Sequence, residues 1–217
     1  MYKNLSLFGR KVELADTSQV KLKNVLDIYP KHFFNFVNVG ANDGVGNDPL
    51  YEYIKSGRAS GILVEPIPSA FKDLINNYKS LKGVVFENVA ITDSGEKQSI
   101  MYMKKSSSVA SLNKNHKPIG GKSSGTVVDS CSINDIFSKY AITSLDVLSI
   151  DAEGYDYNII KSIDFDICCP NVIHYEHRHL ENCKVECEKL LMSLNYGLFF
   201  NKNNTVAIRR EDVLWNL

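Results

Sequence analysis

The run FNFVNVGANDGVGND at residues 34–48 constrains this chain more than any other stretch, because an apolar segment breaks abruptly into a loop studded with glycines. Val37 and Val39 favour a strand. Gly40, Gly44 and Gly46 let the backbone turn tightly and approach a ligand where any β-carbon would collide. The next apolar run, GILVE, closes on an acid, Glu65, 25 residues after Gly40. A strand, a glycine turn and an acid ending the following strand are how an α/β sheet builds a nucleotide pocket, since one carboxylate can accept both ribose hydroxyls.

The rest of the chain alternates in the same way. Apolar runs predict strands at 33–39, 61–65, 84–89, 146–151 and 171–176, with helices near 47–56, 68–79, 132–140, 155–163 and 181–194. GILVE and DVLSID are apolar on successive positions, which suits strands covered on both faces. A mostly parallel, doubly wound sheet follows. The pair YGLFFNKN and NTVAIRR, joined around Asn201–Asn204, reads as a C-terminal antiparallel hairpin. Residues 16–30 read as a helix capped by Ser18 and ended by Pro30, so 1–30 is expected to be a helical extension and 31–217 one domain. Residues 104–125 hold five lysines, no acid and many Ser and Gly, the composition of a loop or of an acceptor-side lid.

Composition narrows the function classes. Lys plus Arg and Asp plus Glu number 25 each, so no global field draws the protein to nucleic acid or an anionic membrane. No apolar run has the length of a signal core or a membrane span, and a cytoplasmic location is expected. Five cysteines (Cys131, Cys168, Cys169, Cys183, Cys187) form an odd set that suits free thiols.

Four polar clusters fall at the carboxyl ends of predicted strands, where open parallel sheets bind ligands. They are the GANDG loop, Glu65-Pro66, the run Asp151-Ala152-Glu153-Gly154, and Glu176-His177. Glycines at 40, 44 and 46 miss the G-x-G-x-x-G of dinucleotide sites, which argues against NAD. A mononucleoside cofactor needs only the first turn and a polar group for its amino-acid portion, which Asn42 and Asp43 can supply.

The ordered blocks VNVGANDG at 37–44, LVEPIPSAFKDL at 63–74, ENVAITD at 87–93, LSIDAEGYDYNIIKS at 148–162 and IHYEH at 173–177 resemble the FkbM family of class I S-adenosylmethionine-dependent methyltransferases. The resemblance implies a Rossmann-like sheet with an antiparallel final strand, and S-adenosylmethionine as cofactor. Gly40, Ala41, Asn42 and Asp43 would then line the methionine end of the cofactor and Glu65 its ribose. Pro66 and Ile67 with Val89 and Ala90 would meet the adenine, and Asp151 would face the methyl group. The family also suggests O-methylation of a sugar or glycan-related small molecule. Asn38 departs from the pattern, because many class I methyltransferases carry an acid there.

An alcohol acceptor needs help losing its proton, and a general base supplies it. Asp151 is the first candidate, with Glu153 and His177 as others. A divalent metal is the competing use of Asp151, Glu153, Glu176 and His177. Glu153 can equally be an acid favoured by the dipole of a following helix. The histidines and cysteines at 168–187 lack a C-x-x-C pair and do not read as a zinc site. A nicotinamide-dependent oxidoreductase and a non-catalytic cofactor-binding domain stay open as alternatives.

Overall fold

The computed structural model describes residues 3–14, 20–46, 48–103, 110–112 and 124–216. In chain order the elements are β1 (Lys3–Leu7), β2 (Arg10–Leu14), α1 (Leu22–Asp27), β3 (Phe34–Val39), α2 (Tyr51–Lys55), β4 (Ala59–Val64) and α3 (Pro68–Tyr78). There follow β5 (Val84–Glu87), β6 (Ala90–Thr92), β7 (Gln98–Met103), β8 (Ala110–Ser111), β9 (Ser124–Ser132), α4 (Ile133–Lys139) and β10 (Val147–Ile150). The last are α5 (Asp156–Ser162), β11 (Val172–Glu176), α6 (Lys184–Ser193), β12 (Tyr196–Phe200), β13 (Asn204–Arg209) and β14 (Val213–Asn216).

Seven strands form the central sheet in the order β12-β13-β11-β10-β3-β4-β5. The strands β11, β10, β3, β4 and β5 run parallel, while β13 lies antiparallel to both β11 and β12. Two apolar layers cover the faces. One gathers Phe34, Phe36 and Leu63 with residues of α1, α2 and α3, and the other gathers Val37, Leu148 and Ile173 with residues of α4, α5 and α6. All four residues of β10 are buried, as a parallel strand covered on both sides requires.

Local signals place the helices. Pro68 opens α3, where its fixed φ suits the first helical position, and Ala70, Leu74 and Tyr78 recur every fourth residue on the buried face. Ser132 caps α4 reciprocally with Asp135: its hydroxyl accepts from the Asp135 N–H at 3.1 Å, and its own N–H donates to Asp135 Oδ2 at 2.8 Å. At the amino end of the sheet, buried Asp146 accepts from the Tyr29 hydroxyl at 2.8 Å, Lys31 Nζ at 2.6 Å and the Asn35 N–H at 3.0 Å, tying the chain before β3 to the start of β10.

The predicted central strands and C-terminal hairpin are present, but the N-terminal reading is corrected. Among the described residues of 16–30 the helix is Leu22–Asp27, and the expected Ser18 cap lies outside the described residues. Residues 3–14 are a hairpin whose first strand pairs with β14, so the two ends of the chain meet in a three-stranded sheet. A four-stranded sheet, β6-β9-β7-β8, was also not expected. Its pairing brings Gln98–Met103 onto Ser124–Ser132, and the polar insert between them masked that partnership. Of residues 104–125, only 110–112 and 124–125 are described, so most of the predicted lid lies outside the described residues. All five cysteines are free thiols. Among the described residues no helix is long and apolar enough to cross a membrane.

Candidate functional site

A cavity of about 670 Å³ opens at the carboxyl ends of β3, β4, β10 and β11. It lies where β3 has β4 on one side and β10 on the other, the switch point of a doubly wound sheet. Gly40 makes the close approach there: a β-carbon on it would stand 2.0 Å from the Asp151 carbonyl oxygen, and its φ is +80°. The N–H groups of Gly40 and Ala41 both donate to the Val64 carbonyl, at 2.9 and 3.0 Å, and the Asp151 N–H donates to the Val39 carbonyl at 2.9 Å. Three strand ends are thereby drawn to one point.

Glu65 stands at the end of β4, 5% exposed, with its carboxylate held by two backbone donors. Asn42 N–H donates to Oε2 at 2.9 Å and Ile67 N–H to Oε1 at 2.8 Å, so the glycine loop and the start of α3 fix one carboxylate. Burial pushes its pKa up to about 7, against the pull of those two N–H groups. Asn88 extends the anchoring, its side-chain amide donating to the carbonyls of Glu65 at 2.7 Å and Pro66 at 3.1 Å. Pro66, Val89 and Ala90 therefore share one wall of the cavity.

Asn38 also lines the cavity, and an acid, Asp48, lines it beside Asn38. The Asn38 amide donates to Asp48 Oδ2 at 3.2 Å, and the Leu50 N–H donates to Oδ1 at 2.8 Å. Burial, reinforced by nearby Asp43, pushes the Asp48 pKa up to about 7. Sequence reasoning missed this residue because it sits ten positions along, in a stretch predicted to be helical. The proximity of Asn47-Asp48-Pro49 to the glycine loop was the available signal: Asp and Pro favour turns, and α2 begins only at Tyr51.

The opposite wall is acidic. Asp151, Glu153 and Glu176 line it, and fully buried Asp156 lies beneath. Asp156 accepts from Ala152 N–H at 3.3 Å and Glu176 N–H at 3.1 Å, so one carboxyl joins the loop after β10 to the end of β11. Glu153 has φ +50° in the turn before α5, and it is Asp156, not Glu153, that occupies the first turn of that helix. Burial and repulsion from Asp151 push Glu153 and Glu176 up to about 7, with Glu153 adding to the repulsion on Glu176. Burial also raises Asp151, a shift that neighbouring His179 opposes.

Two predicted cofactor residues stand behind the lining. Asp43 shapes the loop, Oδ1 accepting from the N–H groups of Val45 and Gly46 at 3.0 and 2.9 Å, while Ile67 packs with Ala70, Ala90 and Val128. His177 likewise lies outside the lining. Its Nδ1 is 2.9 Å from Thr205 Oγ1 and its ring meets Phe200. His174 and Glu176, two apart on β11, do face the cavity. The histidine that reaches the carboxylates is His179, which lay beyond the reach of strand alternation: Nε2 is 3.8 Å from Glu153 Oε2 and 3.7 Å from Glu176 Oε2. From the Lys-rich segment, Ala110 and Leu112 line the cavity, and Ser111 donates to the Glu153 carbonyl at 2.8 Å.

A central sheet of this order, with one antiparallel hairpin and a cavity at its switch point, defines a class I methyltransferase fold. The chain belongs to the methyltransferase FkbM domain family, whose model matches residues 38–199. Among solved structures it is similar to methyltransferase FkbM from Methylobacillus flagellatus KT, with a TM-score of 0.53 and 12% identity over 88% of this chain and 47% of that one. The chain thus spans about half the length of that relative. Fibrillarin from Aeropyrum pernix, solved with natively bound S-adenosyl-L-methionine, has a TM-score of 0.47 and 12% identity over 95% of this chain and 82% of that one. The Methanococcus jannaschii fibrillarin pre-rRNA processing protein has a TM-score of 0.49 and 11% identity over 99% and 82%. No curated protein gave a significant sequence match.

Proposed function

We propose that this chain is an S-adenosylmethionine-dependent O-methyltransferase acting on a hydroxyl of a sugar or glycan-related small molecule. The observation that carries the cofactor reading is Glu65, its carboxylate fixed by Asn42 and Ile67 and directed to the same cavity as Gly40 and Asp151. The residues suit such a group. The volume is within the range of small-molecule sites, Glu65 can accept from ribose hydroxyls, and Asp48 offers a carboxylate for an ammonium.

In this reading Gly40, Ala41 and Asn42 receive the methionine end, Glu65 the ribose, and Pro66, Val89 and Ala90 the adenine. Asp43 and Ile67 act through others, by holding the loop and the Glu65 carboxylate. S-adenosylmethionine held there would supply an electrophilic sulfonium methyl for an acceptor oxygen, with the thioether sulfur as leaving group. Asp151 takes the hydroxyl proton or orients the acceptor. Burial raises its pKa, which makes the carboxylate a stronger base. Glu153 supports it from the same loop, and His177 serves as a brace for the β11–β13 junction. The acceptor class rests on family resemblance.

The test is calorimetric binding of S-adenosylhomocysteine to the purified chain and to Glu65→Ala, followed by an acceptor screen read as S-adenosylhomocysteine release. Binding by the parent and not by the variant supports the reading. Stabilisation by NADH in place of S-adenosylhomocysteine overturns it, and turnover unaffected in Asp151→Ala removes Asp151 as the base.

A further inference from the structure

We propose that Glu153, Glu176 and His179 form a binding site for one divalent transition-metal cation at the acceptor end of the cavity. One donor atom from each lies within 4.8 Å of the other two. The imidazole nitrogen stands 3.7 and 3.8 Å from the two carboxylate oxygens, too long for hydrogen bonds. It is close to the separation of about 3.4–3.6 Å that donors take around one cation bonded at roughly 2.1 Å in tetrahedral or trigonal geometry.

A second observation is independent of the spacing. Glu176 Oε2 is buried and has no hydrogen-bond donor among the described residues, in a carboxylate whose side chain is only 14% exposed. A buried carboxylate oxygen needs a donor or a cation. Its surroundings make the need greater: Asp151, Glu153 and Asp156 crowd the same wall, and the basic groups facing Glu176 there are His179 and Arg178. A dication between the two glutamates would relieve that repulsion. Of the four residues weighed for a metal from the sequence, Glu153 and Glu176 belong to this set; Asp151 is not one of its donors, and His179 stands in place of His177, which is turned toward Thr205.

Two carboxylates with one imidazole suit Mn²⁺, Fe²⁺ or Zn²⁺ better than Mg²⁺ or Ca²⁺, which favour all-oxygen sets. Three protein ligands leave positions free toward the cavity. There a hydroxyl of the acceptor would bind, and the cation would lower its pKa so that Asp151 could take its proton. That role rests on the methyl-transfer reading, whereas the site itself does not.

The experiment is titration of Mn²⁺ alone into the chelator-treated full chain at pH 8, followed by electron paramagnetic resonance of free Mn²⁺. The expected result is one Mn²⁺ per chain, with affinity lowered more than about tenfold in both Glu176→Gln and His179→Ala. Thermal melting of each variant, with Glu153→Gln as a third, identifies any that fails to fold, and the folded ones decide the result. No stoichiometric binding, or binding that all folded variants retain, overturns the site. S-adenosylhomocysteine binding measured on the same samples separates the two readings: Mn²⁺ binding without it leaves the site standing and removes only its role.

Discussion

Asn38 donates its side-chain amide to the Asp48 carboxylate at 3.2 Å, so an acid from the loop before α2 stands where the end of β3 carries a neutral residue. A charge absent from one position in the sequence is returned to the same cavity from another.

Replacing Asp48 by Asn is expected to weaken S-adenosylhomocysteine binding by about 10- to 150-fold, the loss of one charge-assisted hydrogen bond worth roughly 1.5–3 kcal/mol. With its pKa at about 7, the Asp48 carboxyl is protonated on the acid side and cannot pair with an ammonium. Affinity should therefore rise with pH through about 7 and then level off, and the rise should be smaller in the variant. Calorimetry from pH 6 to 8.5 checks both.

Gly40→Ala puts a methyl 2.0 Å from the Asp151 carbonyl oxygen at a backbone φ of +80°. Overpacking of that kind costs about 1–3 kcal/mol, and the left-handed conformation about 1 more. The expected outcome is a lower Tm together with lost cofactor binding, read by thermal melting with and without S-adenosylhomocysteine.

Three glutamates, Glu65, Glu153 and Glu176, sit at about 7 in the folded chain against an ordinary 4.5. Raised carboxyls keep protons that the unfolded chain has already released, so their contribution to stability is whole below about 4.5 and is lost as pH rises through about 7. Between those values the Tm of the ligand-free protein should fall more steeply than in Glu153→Gln or Glu176→Gln, whose amides do not titrate. Melting curves at half-unit pH steps measure the difference.

Asp156→Asn leaves one of two partly buried N–H groups, on Ala152 or Glu176, without an acceptor. A stability loss of about 1–3 kcal/mol is expected. Because the same carboxyl sets the spacing of Asp151 and Glu176, kcat should fall by up to about a hundredfold while S-adenosylhomocysteine affinity holds. Parallel kinetics and calorimetry distinguish this from general unfolding.

The five parallel strands and the turn at Gly40 were legible from the residues, because a parallel strand covered on both faces is apolar along most of its length and a tight turn beside it favours glycine. Those are local demands, met within a few positions. The sheet joining Lys3–Leu7 to Val213–Asn216 was not legible, since pairing between opposite ends of the chain leaves no periodic mark in either segment. The meeting of Asp48 with Asn38, of His179 with Glu153 and Glu176, and the buried bridge of Asp156 were decided by tertiary structure. Which polar side chains converge depends on how loops from separate strands cross one cavity, and burial and electrostatics settle that only once the sheet has assembled.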